Sequence, residues 1–213
     1  MMKEYSTYIF DLDGTLLYTL GDLAASTNFA LREKGLPERS LDEVRRFVGN
    51  GVRNLILRAV PENTPVEVAE QTLAIFKSHY LEHNLDTTCP YEGVMELLER
   101  LQTNGKRIAV VSNKFYDATR DLCRHFFGDL VEVAIGEREG IRKKPAPDTV
   151  IEALRQLGTD AADAVYIGDS EVDVQTARNC NMDCISVLWG FRDHDFLVEH
   201  GATCFVETPE DIY

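Results

Sequence analysis

Positive charge is what this chain has least of. Its 213 residues carry 22 lysines and arginines against 36 aspartates and glutamates, a formal net charge of −14. That balance opposes broad attraction to a nucleic-acid backbone or an anionic lipid surface, so neither is expected as a partner. An anionic substrate would need a metal ion or a few well-placed basic side chains to hold it. Cysteine is sparse too: the five are odd in number and form no Cys-x-x-Cys pair. Cys89, Cys123, Cys180, Cys184 and Cys204 therefore read mostly as packing thiols in a reducing compartment. No apolar run approaches a membrane span, and the opening MMKEYSTYIF has neither the apolar centre nor the cleavage site of a signal peptide, so a cytoplasmic location is expected. Repeats, low-complexity tracts and Gly/Ser linkers are also lacking. The length leaves room for one or two domains.

What is present is a regular alternation. Val94, Leu97, Leu98 and Leu101 follow helical spacing, Gly105 marks a stop, and RIAVVS from Arg107 reads as a strand. The same unit recurs: a helix after Tyr116 then VEVAIG, a helix after Pro147 closed by Gly158 then AVYIGD, a helix from about Val172 then DCISVLW, and finally ATCFV. Strands that are apolar throughout and alternate with helices predict a doubly wound α/β layer around a parallel sheet. Between Leu17 and about Asp86 no strand is expected. That segment breaks into helices, with start signals at Ser40 and Glu43 and at Thr64, Pro65 and Glu67. The expected organisation is an α/β core of residues 1–16 and 87–213 with a helical domain of residues 17–86 inserted after the first strand.

Ligands of parallel α/β sheets bind outside the carboxyl ends of the strands. Read at those ends, the first strand finishes on Asp11 and Asp13, IAVVSN on Ser112 and Asn113, and AVYIGD on Asp169, with Asp173 four residues on. The stretch RKKPAPD adds Lys143 and Lys144 ahead of a helix. Clustered carboxylates repel one another unless a cation lies among them, and a hard cation such as Mg²⁺ suits oxygen ligands while also binding phosphate. In extended backbone Asp11 and Asp13 point the same way, so one can attack while the other handles protons; Gly14 permits the sharp exit.

In order along the chain, DLDGT at 11–15, SN at 112–113, KP at 144–145 and GDSEVD at 168–173 resemble the four motifs of haloacid dehalogenase superfamily phosphatases. The inserted helical segment lies where that superfamily carries an α-helical cap on its Rossmann-like core. LLYTLGDLAAS and FVGNGVRNLI are similar to the phosphoglycolate phosphatase branch, although Tyr18 and Thr19 stand where that branch commonly has Asp-Ser. The resemblance implies that Asp11 takes the phosphoryl group as an aspartyl phosphate. It implies that Asp13 protonates the leaving alkoxide and then activates water. Mg²⁺ would be ligated by the carboxylates of Asp11 and Asp169 and the main-chain carbonyl of Asp13. Asp173 would act one layer out, through bound water or by orienting Lys144. Lys144 would balance charge beside Asp11; Gly14, Thr15, Ser112, Asn113 and Lys114 would hold the phosphoryl group, and Arg53 the far end of the substrate. The acid/base Asp13 speaks against a dehalogenase, whose halide leaves without a proton.

A small phosphorylated metabolite is the expected partner of a monomer or homodimer, with 2-phosphoglycolate favoured. Inorganic pyrophosphatase, sugar-phosphate or nucleotide phosphatase and β-phosphoglucomutase chemistry stay open on the same carboxylates, as does a non-catalytic binding module on this fold. HYLEH at 79–83 matches an inverted zinc-protease pattern, but it falls in the helical insert with no further ligand nearby, and Trp189 reads as packing.

Overall fold

Every residue of strand β1 (Thr7–Phe10) is buried, and its alternate side chains enter two different cores. Tyr8 and Phe10 join Val94, Leu97, Leu98, Leu101, Leu122 and Phe127 on one face, while Ile9 joins Val150, Ala153, Leu157 and Tyr166 on the other. A strand with two apolar faces needs helices on both sides of its sheet, and burying one such side chain contributes about 1.5–3 kcal/mol. The computed structural model describes residues 4–213. They form two compact units, one built from the residues up to Leu17 with Pro90–Tyr213, the other from Tyr18–Cys89.

The first unit is the expected doubly wound α/β layer. After β1 come α5 (Val94–Thr103), β4 (Arg107–Phe115), α6 (Tyr116–Phe127), β5 (Val133–Glu137), α7 (Asp148–Leu157), β6 (Ala164–Gly168), α8 (Glu171–Asn179), β7 (Asp183–Val187), α9 (His194–Glu199) and β8 (Phe205–Val206). The labels β2 and β3, and α1 to α4, belong to elements between β1 and α5. Six parallel strands lie in the order β5-β4-β1-β6-β7-β8. Phe10 is level with Val110 on one side and Ile167 on the other. The register therefore brings Asp11, Ser112 and Asp169 to the same edge of the sheet. Helix α7 ends on Gly158, whose left-handed φ of 66° closes the last turn as its position in the sequence suggests.

The second unit holds α1 (Leu20–Glu33), α2 (Leu41–Phe47), α3 (Val52–Ala59) and α4 (Val66–His83). Ser40 and Glu43 form the expected reciprocal cap on α2. Thr64 does not cap α4: its hydroxyl donates back to the Pro61 carbonyl, and Pro65 precedes the first helical residue. Where the chain leaves and rejoins the α/β unit, β2 (Leu17–Tyr18) and β3 (Cys89–Pro90) pair as a two-residue ribbon that the sequence did not lead us to expect. The unit runs on to Cys89 rather than stopping at residue 86. Asp22 of α1, 2 % exposed, accepts hydrogen bonds from the amides and hydroxyls of both Thr87 and Thr88, which ties those residues to the helices. No helix among the described residues is long and apolar enough to cross a membrane.

Candidate active site

Four charged groups meet at the carboxyl edge of the sheet. Asp11 follows β1 directly, Asp169 follows β6, Asp173 lies in the first turn of α8, and Lys144 comes from the loop before α7. One carboxylate oxygen of each aspartate lies within 4.8 Å of the others. Lys144 Nζ is 2.9 Å from Asp11 Oδ1 and 2.8 Å from Asp173 Oδ1, with its side chain 1 % exposed. Burying charge is costly unless it is paired, and here one ammonium lies among three carboxylates, which if all ionised would leave two negative charges in excess. Burial, and then Asp173 and Asp169, drive the Asp11 carboxyl well above the usual carboxylate range against the pull of Lys144. Burial, and then Asp173, push Asp169 up to about 7. Burial disfavours the Lys144 ammonium, but Asp11 and Asp173 outweigh it and hold the group above the usual lysine range. The donor set and its excess charge fit a divalent oxygen-seeking cation. Among the described residues this is the single cluster with metal-ligand geometry.

The backbone is shaped around these carboxylates. A Cβ on Gly14, whose φ is +84°, or on Gly190 would collide with the Asp169 side chain, and one on Gly168 would collide with Asp173. Asp169 is oriented from both ends: the Thr15 hydroxyl donates to Oδ1 at 3.1 Å and the Phe191 amide to Oδ2 at 2.7 Å. The Thr15 hydroxyl, expected at the phosphoryl group, is thus given to Asp169, and the Thr15 carbonyl accepts from Trp189 Nε1 at 2.9 Å. Asp173 is steadied through Oδ2, which accepts from the Ser170 amide and hydroxyl.

Asp13 stands beside the cluster and pairs elsewhere. Both its oxygens accept from Lys114 Nζ, at 2.9 and 3.1 Å, and the lysine side chain is 1 % exposed. Ser112 and Asn113 are buried beside Lys114 at the end of β4; the Ser112 hydroxyl accepts from the Lys114 amide, and Asn113 Nδ2 donates to the Lys144 carbonyl at 3.0 Å. Of the two neighbouring lysines, Lys144 enters the cluster, whereas Lys143 makes a 3.7 Å ion pair with Glu137. Arg53 lies in the helical unit, where it pairs with Glu70 of α4. The histidines of HYLEH form no metal set: His79 stacks between Phe29 and His83 and shares a 3.0 Å hydrogen bond with Ser26, and His83 pairs with Asp86.

One group at the site carries no motif signal, and another has a partner its motif does not announce. Tyr166 hides inside an apolar strand, yet its hydroxyl is 2.9 Å from Lys144 Nζ. Lys114 follows Ser-Asn as a substrate candidate, and its pairing with Asp13, 101 residues away, leaves no trace in the sequence.

Comparison with known proteins agrees with this geometry. The family model for haloacid dehalogenase-like hydrolases matches residues 8–187. A phosphoglycolate phosphatase of Aquifex aeolicus is 30 % identical over 184 residues, 86 % of this chain and 84 % of its own length. One from Nitrosococcus oceani is 33 % identical and matches 100 % of this chain and 93 % of its own. A crystal structure from Lactobacillus delbrueckii subsp. bulgaricus, of a protein described provisionally as a phosphoglycolate phosphatase, superposes with a TM-score of 0.93 at 36 % identity, covering 99 % of this chain and 97 % of that one. With the strand-end carboxylates, the lysine between them and these likenesses in agreement, the chain belongs to the haloacid dehalogenase-like hydrolases and is a phosphatase, a phosphoric monoester hydrolase.

Proposed function

We propose that this phosphatase is Mg²⁺-dependent and hydrolyses a small phosphorylated metabolite, 2-phosphoglycolate before others, through an aspartyl phosphate on Asp11. The observation that carries the reading is the buried cluster of Asp11, Asp169, Asp173 and Lys144, with more carboxylate than cation and with Asp11 at its edge. Mg²⁺ held by the Asp11 and Asp169 carboxylates and the Asp13 carbonyl would screen the charge of the substrate from the attacking carboxylate. Asp11 attacks phosphorus, the phosphorus–oxygen bond to the leaving group breaks, and Asp13 gives that alkoxide a proton. Asp13 then takes a proton from water, which attacks the acyl phosphate and frees Asp11 and inorganic phosphate. Lys144 balances charge on Asp11 and on the transferred group, whose equatorial oxygens the Ser112 hydroxyl and Asn113 amide receive. Asp173 orients Lys144 and Gly14 leaves space beside Asp169. Thr15 acts through Asp169, and Lys114 exchanges Asp13 for the phosphoryl group.

The helical unit acts as a cap that excludes water, and the protein works in the cytoplasm. Support for phosphoglycolate comes from the names of the relatives and from Arg53, whose guanidinium suits a substrate carboxylate as a bidentate partner. The test is phosphate release, with and without Mg²⁺, from 2-phosphoglycolate, pyrophosphate, hexose phosphates and nucleoside monophosphates, with Asp11→Asn alongside. Selective Mg²⁺-dependent release from phosphoglycolate that vanishes in Asp11→Asn is expected. Release from another panel member moves the substrate and keeps the mechanism; no release from folded protein overturns the reading.

A further inference from the structure

Tyr166 lies in the third position of β6, on the face covered by α7 and α8, in an apolar run that explains its ring as core packing. Its hydroxyl is another matter. A lysine ammonium has three protons to donate and no acceptor. Lys144 places them on Asp11 Oδ1 at 2.9 Å, Asp173 Oδ1 at 2.8 Å and the Tyr166 hydroxyl at 2.9 Å. The hydroxyl accepts from Lys144, and its single proton faces the Val111 carbonyl and Asp173 Oδ1, each at 3.3 Å. Burial, and then Asp173 and Asp11, raise the phenol well above the usual tyrosine range, so the group stays protonated and neutral. One oxygen thereby links the residue before Ser112, the lysine ahead of α7 and the acid in α8.

The geometry points to Tyr166 as a positioning residue that fixes the direction of the Lys144 ammonium toward Asp11. The inference rests on the phosphatase mechanism proposed above. Without the hydroxyl, a fully buried ammonium keeps a proton with no acceptor, and its two remaining partners are the carboxylates of Asp11 and Asp173. Lys144 would then be drawn to whichever carboxylate gains most, and its aim at the transferred group would be lost. A tyrosine present only to fill the core would be replaced by phenylalanine without consequence for the reaction.

The test compares the wild-type protein, Tyr166→Phe, Lys144→Ala and the double variant in single-turnover assays with Mg²⁺, using the panel substrate that wild-type protein hydrolyses. Tyr166→Phe is expected to lower kcat about tenfold to a hundredfold, as loss of an orienting partner does, while KM changes by less than about threefold, because the interaction matters mainly in the transition state. In the Lys144→Ala background the same substitution should cost less than about twofold, because the hydroxyl then has no ammonium to aim. An equal loss in both backgrounds, a loss confined to KM, or wild-type kcat in Tyr166→Phe overturns the inference. Thermal unfolding is followed for each variant, with Tyr166→Met as a second way to remove the hydroxyl. If neither variant folds, the hydroxyl serves stability and the positioning role is overturned. Wild-type protein that hydrolyses nothing refutes the underlying mechanism before any variant is compared.

Discussion

The two units handle buried charge in opposite ways. In the helical unit Asp22 is as deeply buried as the aspartates of the α/β unit, but four donors from Thr87 and Thr88 satisfy it, and Arg32, Arg39 and Arg53 pair on its surface with Glu38, Glu43 and Glu70. In the α/β unit Asp11 and Asp173 share one lysine, while Asp169 beside them accepts from the neutral Thr15 hydroxyl and Phe191 amide, so three carboxylates meet with one ammonium among them. Complete satisfaction indicates a residue that serves folding; leftover charge in a buried place indicates a ligand of opposite sign. The contrast points to the strand-end cluster for chemistry and gives Asp22 an architectural part.

That contrast can be broken from either side. The largest effect is expected for Asp11→Asn, which keeps shape but removes the proposed nucleophile; turnover should fall by at least about 10⁴-fold with unfolding midpoint retained, measured as phosphate release beside a thermal scan. Residual hydrolysis near wild type would move the nucleophile elsewhere. Lys144→Met should cost about 10³-fold in kcat, since it strips Asp11 and Asp173 of their ammonium partner. In the helical unit the effect falls on stability instead of turnover. Asp22→Ala strands four donors and should lower stability by about 3 kcal/mol in denaturant titration, with kcat of the remaining folded enzyme altered far less than by Lys144→Met. If Asp22→Ala instead removed activity at unchanged stability, the division between the units would fail.

The next effect, a few kcal/mol at most, concerns pH. Asp169, raised to about 7 by burial and then by Asp173, keeps a proton in the folded state that it loses when unfolded. The folded state therefore binds more protons between about pH 4 and 7, and stability of the metal-free protein is lost as pH rises through that interval. His79, lowered first by burial and then by His83, works in the opposite sense. The diagnostic quantity is accordingly the difference between unfolding with and without Mg²⁺: the stabilisation by Mg²⁺ should grow from pH 5 to pH 8 because the ion displaces that proton. Stabilisation independent of pH would contradict a metal at Asp169. The smallest effect is assigned to Arg53→Gln. Its pair with Glu70 is half-exposed, so stability should change by less than about 1 kcal/mol, while KM for phosphoglycolate rises if the guanidinium meets the substrate.

The doubly wound layer could be read from apolar strands alternating with amphipathic helices, and the candidate edge from strands that end on polar or charged residues: Asp11, Ser112 and Asp169 each follow an apolar run, a pattern core packing alone would not produce. The ribbon of Leu17–Tyr18 and Cys89–Pro90 escaped because two residues carry no periodicity. Thr64 looked like a cap, but its hydroxyl had a nearer acceptor in Pro61. Tyr166 was invisible for a different reason. Its ring satisfies the apolar pattern of β6, and only the fold reveals that the hydroxyl at its tip reaches a lysine 22 residues away. The use of Thr15 on Asp169 and of Lys114 on Asp13 likewise depends on which distant loops meet, and that is a property of the register.

The most direct test of the central claim is to quench the enzyme with acid during turnover of its substrate in Mg²⁺ and map the protein by peptide mass spectrometry. The added mass of one phosphoryl group is expected on the peptide containing Asp11, absent in Asp11→Asn. Turnover without that adduct, or an adduct on a different residue that survives Asp11→Asn, would contradict it.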